Sequence, residues 1–368
     1  MRPAKKTAPP SPADNQPSFT RIFDEFWRGM SRNYVYWNID TTNWDAMYNT
    51  YKPVFDRLAI NNNRDVQKSV SLFRQMTQGL IDGHYYITFN NPFLSDSVVY
   101  PAYEQKRNSS TFHGPFFYPS ITIKYLDAGY YEGYDSITVS DGEPLYALCG
   151  TIQQRCLYFY CNRFTLLRSW SSSRSNSIKP LLTYFFSLLH KLPPNIQKVI
   201  IDLRGNRGGD ISDLNYFGGQ FIGNPLPIGY TRYKSNTNRL DYTPWVQAIV
   251  IPQAGAQSIS GKIIVLADNF TASLAELITL TLHTLPNGIF IGENTFGATG
   301  PLTDNDIYND GSFDVAGFMH VQTASAQFKY IDDKMYERTG IPPDIRVPYN
   351  FALLNSGKDA ALEKALNE

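Results

Sequence analysis

The chain of 368 residues is 42% hydrophobic and 14% aromatic, enough for a sizeable core and for two or three domains. Lys plus Arg, 33, equals Asp plus Glu, 33, which excludes the broad cationic surface of a nucleic-acid or anionic-membrane binder. No run of about 18 apolar residues is present, so no transmembrane segment is expected. Residues 1–17 are rich in Lys, Pro and Ala, lack the apolar core of a signal peptide, and read as a flexible linker tail. Such a tail is what an exported, periplasmic or lipid-anchored envelope protein keeps once its signal has been removed, and that location is expected here, with the signal not present in this chain.

Phe19 to Met30 places Ile22, Phe23, Phe26, Trp27 and Met30 at helical spacing, and Trp44 to Leu58 and Asp65 to Ile81 repeat the pattern. Residues 18–83 therefore read as an N-terminal helical domain. The third helix runs into Gly79-Leu-Ile-Asp-Gly-His84, where Gly83 permits a turn and Tyr85 to Phe89 alternates like a strand. Residues 84–150 read as an aromatic-rich β region, with strand candidates at Ser120 to Tyr125 and Ser136 to Val139. From 151 to 368, strand signals at Cys156 to Tyr160, Lys198 to Asp202, Lys262 to Ala267 and Gly288 to Gly292 alternate with helix signals at Ile178 to Leu192, Asp210 to Phe221 and Ala272 to Thr284. That alternation predicts an α/β core with a mainly parallel sheet. Phe313 to Tyr330 reads as two further strands and Asp359 to Leu366 as a closing helix. The three cysteines, Cys149, Cys156 and Cys161, are too few for a disulfide framework, and Cys156 and Cys161 point to opposite faces of one strand. No Cys/His spacing resembles a zinc site, so neither a structural metal nor a cofactor is expected.

Chemistry gathers at Asp268-Asn-Phe-Thr-Ala-Ser-Leu-Ala-Glu276, where a buried strand turns into a helix. Ser273 sits at the start of that helix. Its first-turn N–H groups have no intrahelical partners, and the positive end of the dipole would favour an oxyanion beside the hydroxyl. The same Ser-x-x-Glu spacing is also a helix capping box. Val199-Ile-Ile-Asp-Leu-Arg-Gly-Asn-Arg-Gly-Gly209 empties a strand into a glycine turn, which either offers N–H groups to an anion or simply needs positive φ. Of the five histidines, His283 lies ~15 Å along the Ser273 helix and cannot serve that serine, His190 ends an apolar helix, and His84 at its glycine-flanked junction is the best placed.

Leu-Ile-Asp-Gly-His84, the 199–209 strand and turn, Thr271 to Glu276, Ile291-Gly-Glu-Asn-Thr-Phe-Gly-Ala-Thr-Gly300 and Glu337-Arg-Thr-Gly-Ile-Pro-Pro-Asp344 together resemble the tail-specific, or C-terminal processing, serine peptidases. They most resemble the branch that includes tricorn core protease and the interphotoreceptor retinoid-binding protein modules. The resemblance implies an α/β (α+β) fold: an N-terminal helical bundle followed by a ClpP/crotonase-like α/β catalytic core with additional strands. It makes Ser273 the nucleophile, His84 the base and Glu337 its acidic partner, with Leu274 and Gly208 or Gly209 as oxyanion donors. Members with a serine/lysine dyad carry a lysine where this chain has Ala298, and tricorn has a serine where this chain has Gly83. No intact PDZ module is expected within 84–150. The implied activity is endopeptidase cleavage of a protein or peptide substrate; the alternative is a non-catalytic ligand- or peptide-binding module on the same fold.

Overall fold

The computed structural model describes residues 17–138, 142–235, 238–303 and 311–368. Most of the expected linker tail, residues 1–16, and Val139 at the end of one strand candidate lie outside that set. In chain order the helices α1 (Phe19–Asn33), α2 (Trp44–Phe55) and α3 (Asn63–Thr77) come first, each opened by a side-chain cap from Ser18, Asn43 or Asn62. Then follow β1 (Tyr86–Phe89), β2 (Val98–Val99), α4 (Pro101–Arg107), α5 (Pro119–Thr122), β3 (Tyr131–Thr138), β4 (Pro144–Ile152), β5 (Cys156–Cys161), α6 (Leu166–Ser171) and α7 (Ile178–His190). The C-terminal half contains β6 (Lys198–Asp202), β7 (Leu226–Tyr233), β8 (Val246–Val250), β9 (Lys262–Ala267), α8 (Leu274–His283) and β10 (Gly288–Gly292). The chain finishes with β11 (Ser312–Val315), β12 (Met319–Gln322), β13 (Ala326–Tyr330), β14 (Ile345–Arg346), α9 (Phe351–Asn355) and α10 (Ala360–Asn367).

The central sheet has seven strands in the order β14-β10-β9-β6-β5-β4-β3. From β14 to β5 neighbours are parallel, and β4 and β3 add an antiparallel edge. The parallel strands are apolar on both faces because helices or the β7–β8 layer cover each side. β5 makes this visible: Leu157, Phe159 and Cys161 join the core under α7 and α8, while Cys156, Tyr158 and Tyr160 join the opposite core with α10. The two cysteines thus face away from each other, and all three thiols are free and buried.

A second core is built from α1, α2 and α3, whose Phe23, Phe26, Phe55 and Phe73 rings pack in tilted and edge-on pairs with centroids 4.8–5.0 Å apart. It is closed by an antiparallel sheet in the order β11-β12-β1-β2, and β11 and β12 come from residues 312–322, far along the chain. Val315, Phe318, Met319 and Val321 are buried among the helical aromatics. Residues 84–150 are correspondingly divided, β1 and β2 lying in this small sheet and β3 and β4 in the central one.

Three local expectations differ. Ser120 to Tyr125 is not a strand: Pro119 opens the short helix α5, whose fixed φ favours a first helical turn. Asp210 to Phe221 is helical from residue 212 but not a regular α-helix, running through a wide turn at Leu214–Gly218 into a tight one at Gly219–Phe221, where Gly219 lies close to the Ile251 carbonyl. Phe313 to Tyr330 gives three strands rather than two, since the chain leaves the small sheet after β12 and pairs β13 with β7.

Candidate active site

β9 delivers Asp268 to the sheet's C-terminal edge, where the carboxylate Oδ1 accepts the N–H groups of Phe270 at 2.9 Å and Gly205 at 3.0 Å. Thr271 Oγ1 donates to the Leu203 carbonyl at 2.8 Å, and the Ala272 N–H donates to the Asn206 carbonyl at 3.0 Å. The turn before α8 is therefore tied to the turn after β6. Ser273, held between them, has φ 56° and ψ −126°, a conformation that non-glycine residues rarely adopt and that a surrounding network must enforce. Glu276 is part of that network. Its buried carboxylate accepts the Ser273 N–H at 3.0 Å, the Thr295 hydroxyl at 2.5 Å and the N–H groups of Gly297 and Ala298 at 2.8 Å each. The Ser273 hydroxyl is aimed elsewhere, 3.0 Å from His84 Nε2. Cap and nucleophile are thus compatible uses of one Ser-x-x-Glu segment.

His84 is positioned from the other core. Asp82, fully buried after α3, accepts the His84 N–H with Oδ1 at 2.8 Å and the Ala324 N–H with Oδ2 at 2.8 Å, which pins the histidine turn to the chain leaving β12. Gly83 is needed at this turn: a Cβ there would stand 2.5 Å from the Gly297 carbonyl oxygen and 2.6 Å from Ala298. This close approach explains why the tricorn-type serine cannot occupy position 83. Glu337, between β13 and β14, accepts the Gly83 N–H at 2.6 Å with Oε1, and with Oε2 the N–H groups of Thr299 at 2.9 Å and Gly300 at 3.0 Å and the Thr299 hydroxyl at 3.0 Å. One acceptor atom from each of Asp82, His84 and Glu337 falls within 4.8 Å of the others. The carboxylate oxygens already accept backbone and hydroxyl donors, which leaves a metal ion little to bind. Among the described residues His84 Nδ1 has no hydrogen-bond partner.

Burial sets the electrostatics. It pushes the His84 imidazole down to about 4, the Asp82 carboxyl up to about 7 and the Glu337 carboxyl up to about 8, the mutual repulsion of the two acids adding to the last. A neutral imidazole beside the serine is the form that can accept its proton. Asp82→Asn should lower kcat with little change in KM, because an amide NH2 replaces one acceptor of the brace on the His84 turn; steady-state kinetics on a peptide substrate reads this, and an unchanged kcat would remove Asp82 from the positioning role.

Of the expected oxyanion donors, Gly208 gives its N–H to Asn206 Oδ1 at 2.8 Å. Its α-carbon lies so close to Ser273 that a Cβ would meet the Ser273 Cβ at 2.7 Å and the Leu274 nitrogen at 2.8 Å, at a φ of +91°. The Gly209 N–H stands outside the Phe164 bridge, whose two bonds run from Phe164 N to the Gly208 carbonyl and from Asp210 N to the Phe164 carbonyl. Leu274 is the first residue of α8, so its N–H has no intrahelical acceptor. Ala298, where the dyad lysine would stand, is buried against the Gly83 turn. Asp82 and Asn206 are the residues that motif reading passed over, the first although it lies two positions before His84.

A pocket of about 350 Å³ opens over the serine, lined by His84, Tyr100, Tyr103, Arg207, Phe270, Phe296 and Ala298. The Tyr100 hydroxyl donates to the Gly83 carbonyl at 2.9 Å, so one aromatic wall is fastened to the histidine turn.

The family profile described as "Peptidase family S41" matches residues 169–347, and that described as "Tricorn protease C1 domain" matches residues 16–67. Nisin-resistance protein of Lactococcus lactis subsp. lactis is 31% identical over 185 residues, 48% of this chain and 52% of that protein. Carboxy-terminal processing protease CtpA of Bacillus subtilis (strain 168) is 28% identical over 147 residues, 40% of this chain and 28% of that protein. The chain thus spans about half or less of the length of these curated relatives. A crystal structure from Parabacteroides merdae ATCC 43184, solved as a candidate peptidase, shares the fold over 96% of each chain with a TM-score of 0.70 at 19% identity. The serine-bearing turn, the glycine turn and the C-terminal glutamate segment all lie inside the region, just under half of the chain, that matches the S41 peptidase profile.

Proposed function

We propose that the protein is a serine endopeptidase that hydrolyses peptide bonds of protein substrates through Ser273, His84 and Glu337. The observation that carries the reading is the 3.0 Å contact between Ser273 Oγ and His84 Nε2 at the start of α8. In this mechanism Oγ attacks the peptide carbonyl as its proton passes to Nε2, and the C–O bond forms while the carbonyl electrons move to oxygen. The resulting oxyanion is met by the Leu274 and Gly209 N–H groups at the positive end of α8. Collapse breaks the C–N bond as Nε2 protonates the leaving amine, and water, deprotonated by the same nitrogen, releases the acyl group from Ser273. Glu337 orients His84 through the Gly83 N–H it accepts, and because burial raises its carboxyl it favours the imidazolium only in its ionised form. Location outside the cytoplasm belongs to the same proposal. No helix among the described residues is long and apolar enough to cross a membrane.

Labelling of the purified protein by a fluorophosphonate tests the activated serine directly: labelling at Ser273 is expected, and a protein that stays unlabelled would defeat the proposal. The pH profile supplies a second check. His84 is held at about 4 against an ordinary 6.5, so the unprotonated base persists as pH falls and the acid limb of kcat/KM should lie below pH 6.5. A limb at or above 6.5 would mean that an ionised carboxylate of Glu337 or Asp82 already supports the imidazolium in the free enzyme.

A further inference from the structure

Tyr36, in the turn after α1, is fully buried, its ring set edge-on to Tyr34 with centroids 5.9 Å apart inside the helical core. The hydroxyl points out of that core. It approaches Gly300 so closely that a Cβ there would collide with the phenol oxygen, and the Gly300 N–H is itself a donor to Glu337 Oε2, at 3.0 Å. The phenol therefore ends beside the Glu337 carboxylate. Among the described residues, however, its hydroxyl completes no hydrogen bond.

A buried hydroxyl without a partner is costly, because it has given up water and gained nothing in return. The group it faces is the acid whose charge the imidazolium calls for, and burial together with Asp82 works against that charge, raising the Glu337 carboxyl to about 8. A donor aimed at the carboxylate counters this, since a hydrogen bond to an ionised acceptor is the stronger kind. Burial, then the charges of Glu337 and Asp82, hold the phenol well above its ordinary range, so it stays a donor. The other ionisable groups around Glu337 do not supply one. Asp82 and Glu276 are acids that already accept main-chain N–H groups, and His84 directs its Nε2 at Ser273.

We propose that Tyr36 is a positioning residue of the peptidase site: its hydroxyl stands short of hydrogen-bond alignment in the resting protein and closes onto the ionised Glu337 carboxylate when the His84 imidazolium forms. The proposal rests on the reading of Ser273, His84 and Glu337 as the reacting set. An interaction completed only at that stage lowers the barrier without tightening the binding of substrate. It also gives the turn after α1 a part in the chemistry, through a residue far in sequence from the acid it serves.

Full-length wild type and Tyr36→Phe are compared in three ways. In steady-state hydrolysis of one peptide, kcat should fall about tenfold with KM little changed. After phosphonylation of Ser273, the His84 Hε1 proton followed by NMR should titrate about one pH unit lower in Tyr36→Phe, because the imidazolium has lost support. In a Glu337→Gln background the same replacement should alter the rate of fluorophosphonate labelling by less than about twofold, since the carboxylate it serves is gone. Thermal melts report on the fold; if Tyr36→Phe melts early, 3-fluorotyrosine at position 36 decides, as it keeps the ring, sharpens the donor and should move the His84 titration upward. An unchanged kcat, a loss confined to KM, a His84 titration that does not move, or an equal loss with and without Glu337 overturns the proposal. Wild-type protein that takes no fluorophosphonate label defeats the peptidase reading instead, and the proposal with it.

Discussion

Ser273→Ala should abolish both fluorophosphonate labelling and peptide hydrolysis, and His84→Ala should come close to the same loss, with kcat falling by about 10⁴ to 10⁶. The two losses should not add, since a serine without its base and a base without its serine leave the same residual catalysis from the oxyanion donors and substrate binding. The physical reason is the 3.0 Å contact between the Ser273 hydroxyl and His84 Nε2. Neither replacement touches the Asp268, Thr271 and Glu276 bonds that hold the turn, so thermal melts should stay within a few degrees of wild type. Measuring labelling rate and melting temperature together separates loss of chemistry from loss of fold. Wild-type labelling of the His84→Ala protein would break the assignment of His84 as the base.

Glu276→Ala should be the most damaging replacement outside the reacting pair, and it should act through the fold. The carboxylate satisfies four donors on two segments, Ser273 N–H on one side and the Thr295 hydroxyl and the Gly297 and Ala298 N–H groups on the other. Removing it leaves buried donors without acceptors, at about 1–3 kcal/mol each, against a total stability on the order of 5–15 kcal/mol. A drop in melting temperature of roughly ten degrees or more is expected, with labelling of Ser273 lost because its unusual backbone is no longer enforced. Glu276→Gln should be milder, since one oxygen still accepts. A melt of the Ala variant within a few degrees of wild type would show that the donors find other partners and that the glutamate is dispensable.

Sequence reading went furthest where segments have a distinctive residue order or a clear apolar spacing. Ser273, His84 and Glu337 stand in segments whose residue order is distinctive, and the α7, α8 and α10 helices and the strands β5, β6, β9 and β10 follow directly from apolar spacing. It went least far where main-chain groups do the holding. Asp82 and Asn206 act by accepting N–H groups, an arrangement any exposed turn aspartate or asparagine could mimic in sequence. The split of residues 84–150 was likewise hidden, because β1 finds its partner β12 more than two hundred positions later and nothing local encodes so distant a pairing. At Pro119 the β-branched run that follows suggested a strand, whereas a proline at the first helical position set the backbone instead.

The small sheet that closes the helical unit has a consequence for how the protein is made. β1, which follows His84, is paired to β12, and Asp82 is bonded to Ala324, so the histidine turn has no complete support until residues 312–324 have been synthesised. Glu337 follows later still. A chain emerging from the ribosome therefore carries Ser273 well before the His84 turn is complete, and the 3.0 Å contact between the two forms only once residues 312–324 are available to fold. Shortening the protein from its C-terminal end past residue 324 should for the same reason loosen the N-terminal helices, although none of their own residues would be missing.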